Sequence, residues 1–265
     1  MNMYLHELKI HRKSTIIWTL SLIAVVLLYI NLFPAFSADA DVMEKILKNF
    51  PEEFKKAFGI SDFDFTTLLG FYGYTFSFIL LSGAIQAMNL GIGILSAEIR
   101  ERTADFLLVK PITRNKIVTS KLLAAITSIA ITNIFYLIAA FISVETIVSE
   151  PYNKKIFFMM SITLFFIQLI FIALGFLVSA LAKKIKSVLP ISLGIVFGFY
   201  IIEMFGSVIG EEKMKYITPF KYFDLAYIIE NGKYEVKFII LSIVLIVVAI
   251  SGSYILYSKK DIASI

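Results

Sequence analysis

Few residues in this chain could carry covalent chemistry. His6 and His11 are the only histidines, and their spacing of five falls poorly on one helical face, so they make a weak metal pair. Cysteine is absent, which removes thiolate catalysis, thiolate metal sites and disulfides together. No Ser, His and acid set can be assembled without joining distant segments, and no GxxxxGKS/T loop is present to cradle nucleotide phosphates. What remains is recognition by polar groups. Gln86, Asn89, Asn133, Gln168 and Glu203 interrupt apolar runs, where such groups either pair with neighbouring helices or line a path for a solute. Glu98, Arg102, Thr103, Phe106, Pro111 and Arg114 belong to one charged stretch, SAEIRERTADFLLVKPITRNKIVTSK, from Ser96 to Lys121.

The elements that must position these residues follow from composition. Hydrophobic residues make up 58% of the 265, and mean hydropathy is +0.84, far above a soluble domain. Continuous apolar runs of about 20 residues match the thickness of a bilayer, and in lipid a helix satisfies its own backbone. The expected fold is an all-α polytopic membrane protein, a single transmembrane domain over 1–265. Its six spans fall near 16–36, 71–95, 118–144, 156–182, 188–209 and 237–257. The first run continues past a short signal-peptide core, so it is expected to stay as a span. Lys9, Arg12 and Lys13 precede it. Arg100, Arg102, Lys110, Arg114, Lys116 and Lys121 crowd the loop after the second span, and Lys183, Lys184 and Lys186 fill the fourth connection. By the positive-inside rule these segments and both termini are cytoplasmic. The net charge of +5 then reports topology and contact with anionic lipid, not nucleic acid.

Two connections on the outer side are patterned. In 37–66, Met43, Ile46, Leu47 and Phe50 recur at helical spacing, Pro51 suits a first helical position, Glu52 and Glu53 the first turn, and Gly59 a stop, which predicts a pair of short surface helices. In 206–236, Pro219, several aromatics and the Asn231-Gly232 turn predict an external segment that can dip back into the outer leaflet. Trp18 reads as an interfacial anchor.

Within the spans, Ser82, Gln86, Asn89 and Gly93 share one helical stripe, and Gln168, Gly175 and Ser179 make a thinner one; Asn133 stands alone. Interhelical hydrogen bonding is the first expectation for all three, with a substrate path as the alternative. Glu203 is the one acid deep in an apolar run, one turn above the Gly194/Gly198 pair. It predicts either a carboxylate facing a central cavity or dimer seam, for a basic group of cargo or partner, or one near the outer interface reaching water or an interfacial lysine.

The internal loop carries the most specific signal. Residues 97–112 read as a short charged helix, with Glu98/Arg102 and Glu101/Asp105 each four apart, then a break at Pro111 and a cap at Thr113. The spacing of Glu98, Thr103, Leu107, Pro111, Ile112, Arg114, Ile117 and Lys121 resembles the cytoplasmic coupling helix of type 2 (ABC-2) ABC transporter permeases. A second stretch, YITPFKYFDLAYIIENGKYE from Tyr216 to Glu235, is similar to the Pro-Phe-x-Tyr-Phe-Asp segment that such permeases carry before their last span. The two resemblances, in order, span essentially the whole chain.

That resemblance implies an ATP-driven exporter in a prokaryotic-type plasma membrane. Two copies of a separate ABC ATPase subunit would hold ATP and Mg, and this chain would hold no cofactor. A second copy of itself or a paralogous permease would complete the pore, and residues 1–14 would be the connecting helix. The Phe-rich, mostly uncharged interior is similar to permeases that expel amphipathic peptides such as phenol-soluble modulins or peptide antibiotics, with drug efflux as a related possibility. The competing class is an ion-coupled secondary transporter. It would want inverted repeats and several buried ionisable groups, and the sequence offers Glu203 and no clear repeat.

Overall fold

A computed structural model describes residues 3–38, 49–101 and 112–260. Among these the secondary structure is helical throughout, in eight α-helices: α1 Met3–Ala38, α2 Glu52–Ala57, α3 Leu68–Arg100, α4 Arg114–Ile147, α5 Lys154–Leu181, α6 Val188–Ile209, α7 Leu225–Asn231 and α8 Val236–Lys259. Short 3-10 turns cover Ile60–Asp62, Glu212–Tyr216 and Pro219–Lys221. Six of the helices, α1, α3, α4, α5, α6 and α8, are long and apolar enough to cross a membrane. The protein is therefore an all-α, multi-pass membrane protein.

The helix ends follow local chemistry. Thr67 and Thr113 accept hydrogen bonds from the backbone N–H groups of Gly70 and Lys116, capping α3 and α4, and Asn153 and Asp224 do the same for α5 and α7. Gly210 and Gly232 close α6 and α7 with φ of 72° and 61°, a left-handed conformation that costs glycine nothing.

No break separates residues 3–14 from the first span. No Gly or Pro interrupts 9–20, and Thr15 and Thr19 bond back to the carbonyls of His11 and Thr15, so α1 runs unbroken. Its 36 residues extend roughly 54 Å, well beyond a hydrocarbon core of about 30 Å. The charged segment expected as a separate helix over 97–112 begins as the last turn of α3; Arg102, Thr103, Phe106 and Pro111 lie outside the described residues. In the first outer connection, Met43, Ile46 and Leu47 also lie outside them, while Pro51 precedes α2 as its cap and Gly59 turns the chain at φ 66°.

Packing is centred on α3 and α5, which share the most extensive contact in the bundle, followed by α1 against α4. Glycine makes the first contact possible. A Cβ on Gly91 would come within 2.8 Å of the Ile172 carbonyl oxygen, and one on Gly175 within 3.0 Å of backbone atoms of Met88 and Ile92. The outer segment 206–236 folds back on the bundle: Pro219, Phe220, Tyr222, Phe223, Leu225 and Ile228 are buried, and Thr218 donates to the Phe199 carbonyl. In contrast, α6 buries little of its length, and Leu189, Phe197, Ile201 and Phe205 are exposed along it.

Candidate functional site

At the cytoplasmic end, charges that look like a solvated surface in the sequence turn inward. Lys121 sits in the second turn of α4 and is fully buried. Its ammonium donates to the Ile94 carbonyl at 2.6 Å and forms ion pairs with Glu98 Oε1 at 2.6 Å and Glu7 Oε1 at 3.0 Å. Glu7 comes from α1, Glu98 and Ile94 from the last turns of α3. Glu98 Oε2 is buried without a hydrogen-bond partner among the described residues. The cluster thus holds one cation between two carboxylates, at the point where the chain leaves α3 for the 101–113 loop.

The other end of that loop is fixed as well. Arg114 donates to the carbonyl oxygens of Tyr257, Ser258 and Lys260, closing the C-terminus of α8, where a cation is favoured by the helix dipole. Lys260 in turn donates to the carbonyls of Ser179 and Ala182 at the end of α5. Burial pushes the Lys260 pKa below the usual lysine value. The ends of α1, α3, α4, α5 and α8 are therefore tied together on one side of the bundle.

Midway up the bundle, three of the sequence-predicted polar residues meet. Asn133 Nδ2 donates to Gln168 Oε1, Gln168 Nε2 donates to Gln86 Oε1 at 2.9 Å, Gln86 Nε2 donates to Thr132 Oγ1 at 3.2 Å, and Thr132 shares a hydrogen bond with Thr19. The chain links α1, α3, α4 and α5, and all five side chains are buried. Such an arrangement binds helices to each other. Gln168→Leu is expected to lower bundle stability by about 1–2 kcal/mol, because Gln86 and Asn133 each lose a partner in apolar surroundings. Thermal melting of the purified protein in detergent reads the change; an unaltered melt would mean that these groups are already hydrated, as a solute path would be.

Asn89 lies apart from that chain. It accepts from Ser192 of α6 at 3.4 Å and borders a chamber of about 220 Å³ between α1, α3 and α6, together with Gln86, Trp18, His11 and Arg100. Trp18 lines this half-open groove. Glu203 lines a larger outer cavity of about 600 Å³, and its nearest cation is Lys221 at 3.9 Å, which also approaches Asp224 at 3.7 Å. Of the two readings for Glu203, the interfacial lysine is the one with a contact in this protomer. Burial disfavours the Lys221 ammonium, but the carboxylates of Asp224, Glu203 and Asp62 outweigh it and hold its pKa above the usual lysine value.

Sequence reasoning passed over Glu7, Lys121 as an ion-pair centre, Thr19 and Thr132. One signal was available: Glu7 is the sole acid before Asp39, set among Lys9, Arg12 and Lys13. Lys121, by contrast, is indistinguishable in the sequence from the other basic residues of its loop.

Compared with known proteins, residues 1–262 match the family model described as ABC-2 family transporter protein. None of the curated proteins matches the chain.

Proposed function

Because the chain belongs to the ABC-2 transporter family, it is the membrane permease subunit of an ABC transporter that works with an ABC ATPase, and we propose that the pair exports an amphipathic or hydrophobic cargo, a peptide toxin or antibiotic being the favoured class. A prokaryotic origin is consistent with that family. The observation that carries the export reading is the match along nearly the whole chain, taken with the buried charge cluster from which the α3–α4 loop departs.

In this reading the loop docks on the ATPase through Arg102, Thr103, Phe106 and Pro111, while Glu98 and Arg114 at its two ends pass the motion to the spans. ATP and Mg are held by the ATPase. Two copies of the permease meet along α6: its apolar face is exposed, and a Cβ on Gly194 or Gly198 would meet no atom within 4 Å. Cargo passes beside α6, by way of the Asn89 chamber, and leaves past Glu203 and Lys221. The 25 phenylalanines and scarcity of charge within the spans suit an amphipathic solute.

Copurification in nanodiscs with the ATPase encoded beside this chain tests the reading. The wild-type permease is expected to retain that ATPase and raise its ATP hydrolysis, and Phe106→Ala to abolish the increase. If no ATPase is retained, or Phe106→Ala behaves like wild type, the docking role fails and an ion-coupled transporter becomes the better description.

A further inference from the structure

The cluster around Lys121 has an asymmetry that a static brace does not need. One ammonium is shared by two carboxylates on different helices, so either carboxylate can leave and the lysine still has a counter-ion. Full burial makes that condition strict, since an unpaired ammonium in apolar surroundings is strongly disfavoured.

The two carboxylates are not equivalent. Glu7, on α1 and facing Lys121 of α4, has its side chain only 5% exposed. Glu98 is 15% exposed, stands in the last turns of α3, and has no partner for its Oε2 among the described residues. Glu98 is the more exposed of the two carboxylates, which makes it the partner able to let go. Among the described residues, other charged groups near the site are His11, whose Nε2 is 3.9 Å from Glu7, Arg100, which donates to Ser96 and to Glu101, and Arg114, which shares the surroundings of Tyr257 with Glu7 and Glu98. None of these forms an ion pair with Glu98 among the described residues.

We propose that the Glu98–Lys121 contact is a latch that opens when the α3–α4 loop is displaced, and that Glu7 is the positioning residue that keeps Lys121 paired while the latch is open. The proposal rests on the permease reading, in which the ATPase moves that loop. Glu98 then swings toward water with the end of α3, Lys121 stays with Glu7, and the α1/α4 pair separates from α3 without stranding a buried charge. Removing either carboxylate leaves one acid against one base, so both variants retain a balanced pair and fold.

Their effects on transport are opposite in sign, which a purely structural role would not produce. The test uses the full chain with its ATPase in nanodiscs. Ser207→Cys, on the wall of the outer cavity, supplies the permease's only thiol, and its labelling by a membrane-impermeant maleimide is followed with and without MgATP. In the parent, MgATP is expected to change the labelling rate. Glu98→Gln weakens the latch, so its rate without nucleotide shifts to the parent's MgATP value. Glu7→Met makes opening strand Lys121, so its rate stays at the nucleotide-free value when MgATP is added; Glu7→Gln keeps an acceptor for Lys121 and recovers the response. Glu98→Gln and Glu7→Met shifting in the same direction, or neither shifting, would overturn the latch and leave the cluster a folding element. A parent that binds its ATPase but shows no MgATP response would overturn alternating access in this chain, and the latch with it.

Discussion

Lys121→Met is expected to destabilise the protein by about 3–5 kcal/mol, because it leaves two buried carboxylates without a cation. The geometry supplies the magnitude. Lys121 is fully buried, it is paired with both carboxylates and bonded to the Ile94 carbonyl, and Glu7 and Glu98 have little access to water. Methionine fills most of the same volume, so packing contributes little to the loss. Removing one carboxylate instead, as in Glu7→Gln, leaves a balanced pair and should cost far less. Thermal melting in detergent, followed by the fraction of monodisperse protein on size exclusion, distinguishes the two. A Lys121→Met protein that melts like wild type would mean that the cluster is hydrated, and the latch argument would lose its premise.

Substitution of Gly91 is expected to give the second large effect. The α3–α5 crossing is the most extensive contact of the bundle, and the obstacle at Gly91 is the Ile172 backbone oxygen, which cannot rotate aside as a side chain could. Gly91→Ala should therefore destabilise by about 1–3 kcal/mol through forced separation of the helices, and Gly91→Leu should prevent the crossing altogether. Gly198→Ala is the internal control. Its Cβ meets open space within the protomer, so melting should move by no more than about 0.5 kcal/mol, with only the association of two copies left to respond. Equal melting shifts for Gly91→Ala and Gly198→Ala would show that the glycine positions do not differ as the structure has them.

Much of the architecture was legible beforehand for a simple reason. Lipid imposes a length and an apolarity on each crossing segment that do not depend on neighbours, so composition alone locates all six spans, from α1 to α8. The caps at Thr113 and the stops at Gly59 and Gly232 were readable on the same local basis, since a side-chain oxygen or a positive φ acts within a few residues. The segment 1–14 was the exception. Charge marked a change of environment there, but an unbroken run of helix-compatible residues carried α1 through it.

The site was legible only in part, and the division follows sequence distance. That Gln86, Asn133 and Gln168 would seek partners is evident from their burial in apolar runs; that they would find each other, and recruit Thr19 and Thr132, depends on how four helices rotate about their axes. Glu203 could be flagged as an intramembrane acid, yet its nearest cation came from Lys221, placed by a folded-back outer segment. By itself, then, the sequence determined the membrane class, the spans, their orientation by charge and the charged loop that joins α3 to α4. The tertiary structure alone decided that Glu7, Glu98 and Lys121, drawn from three helices, would share one buried site. A helix's apolarity is a property of its own residues, whereas a buried ion pair exists only after separate helices have packed and excluded the water that would otherwise solvate each charge.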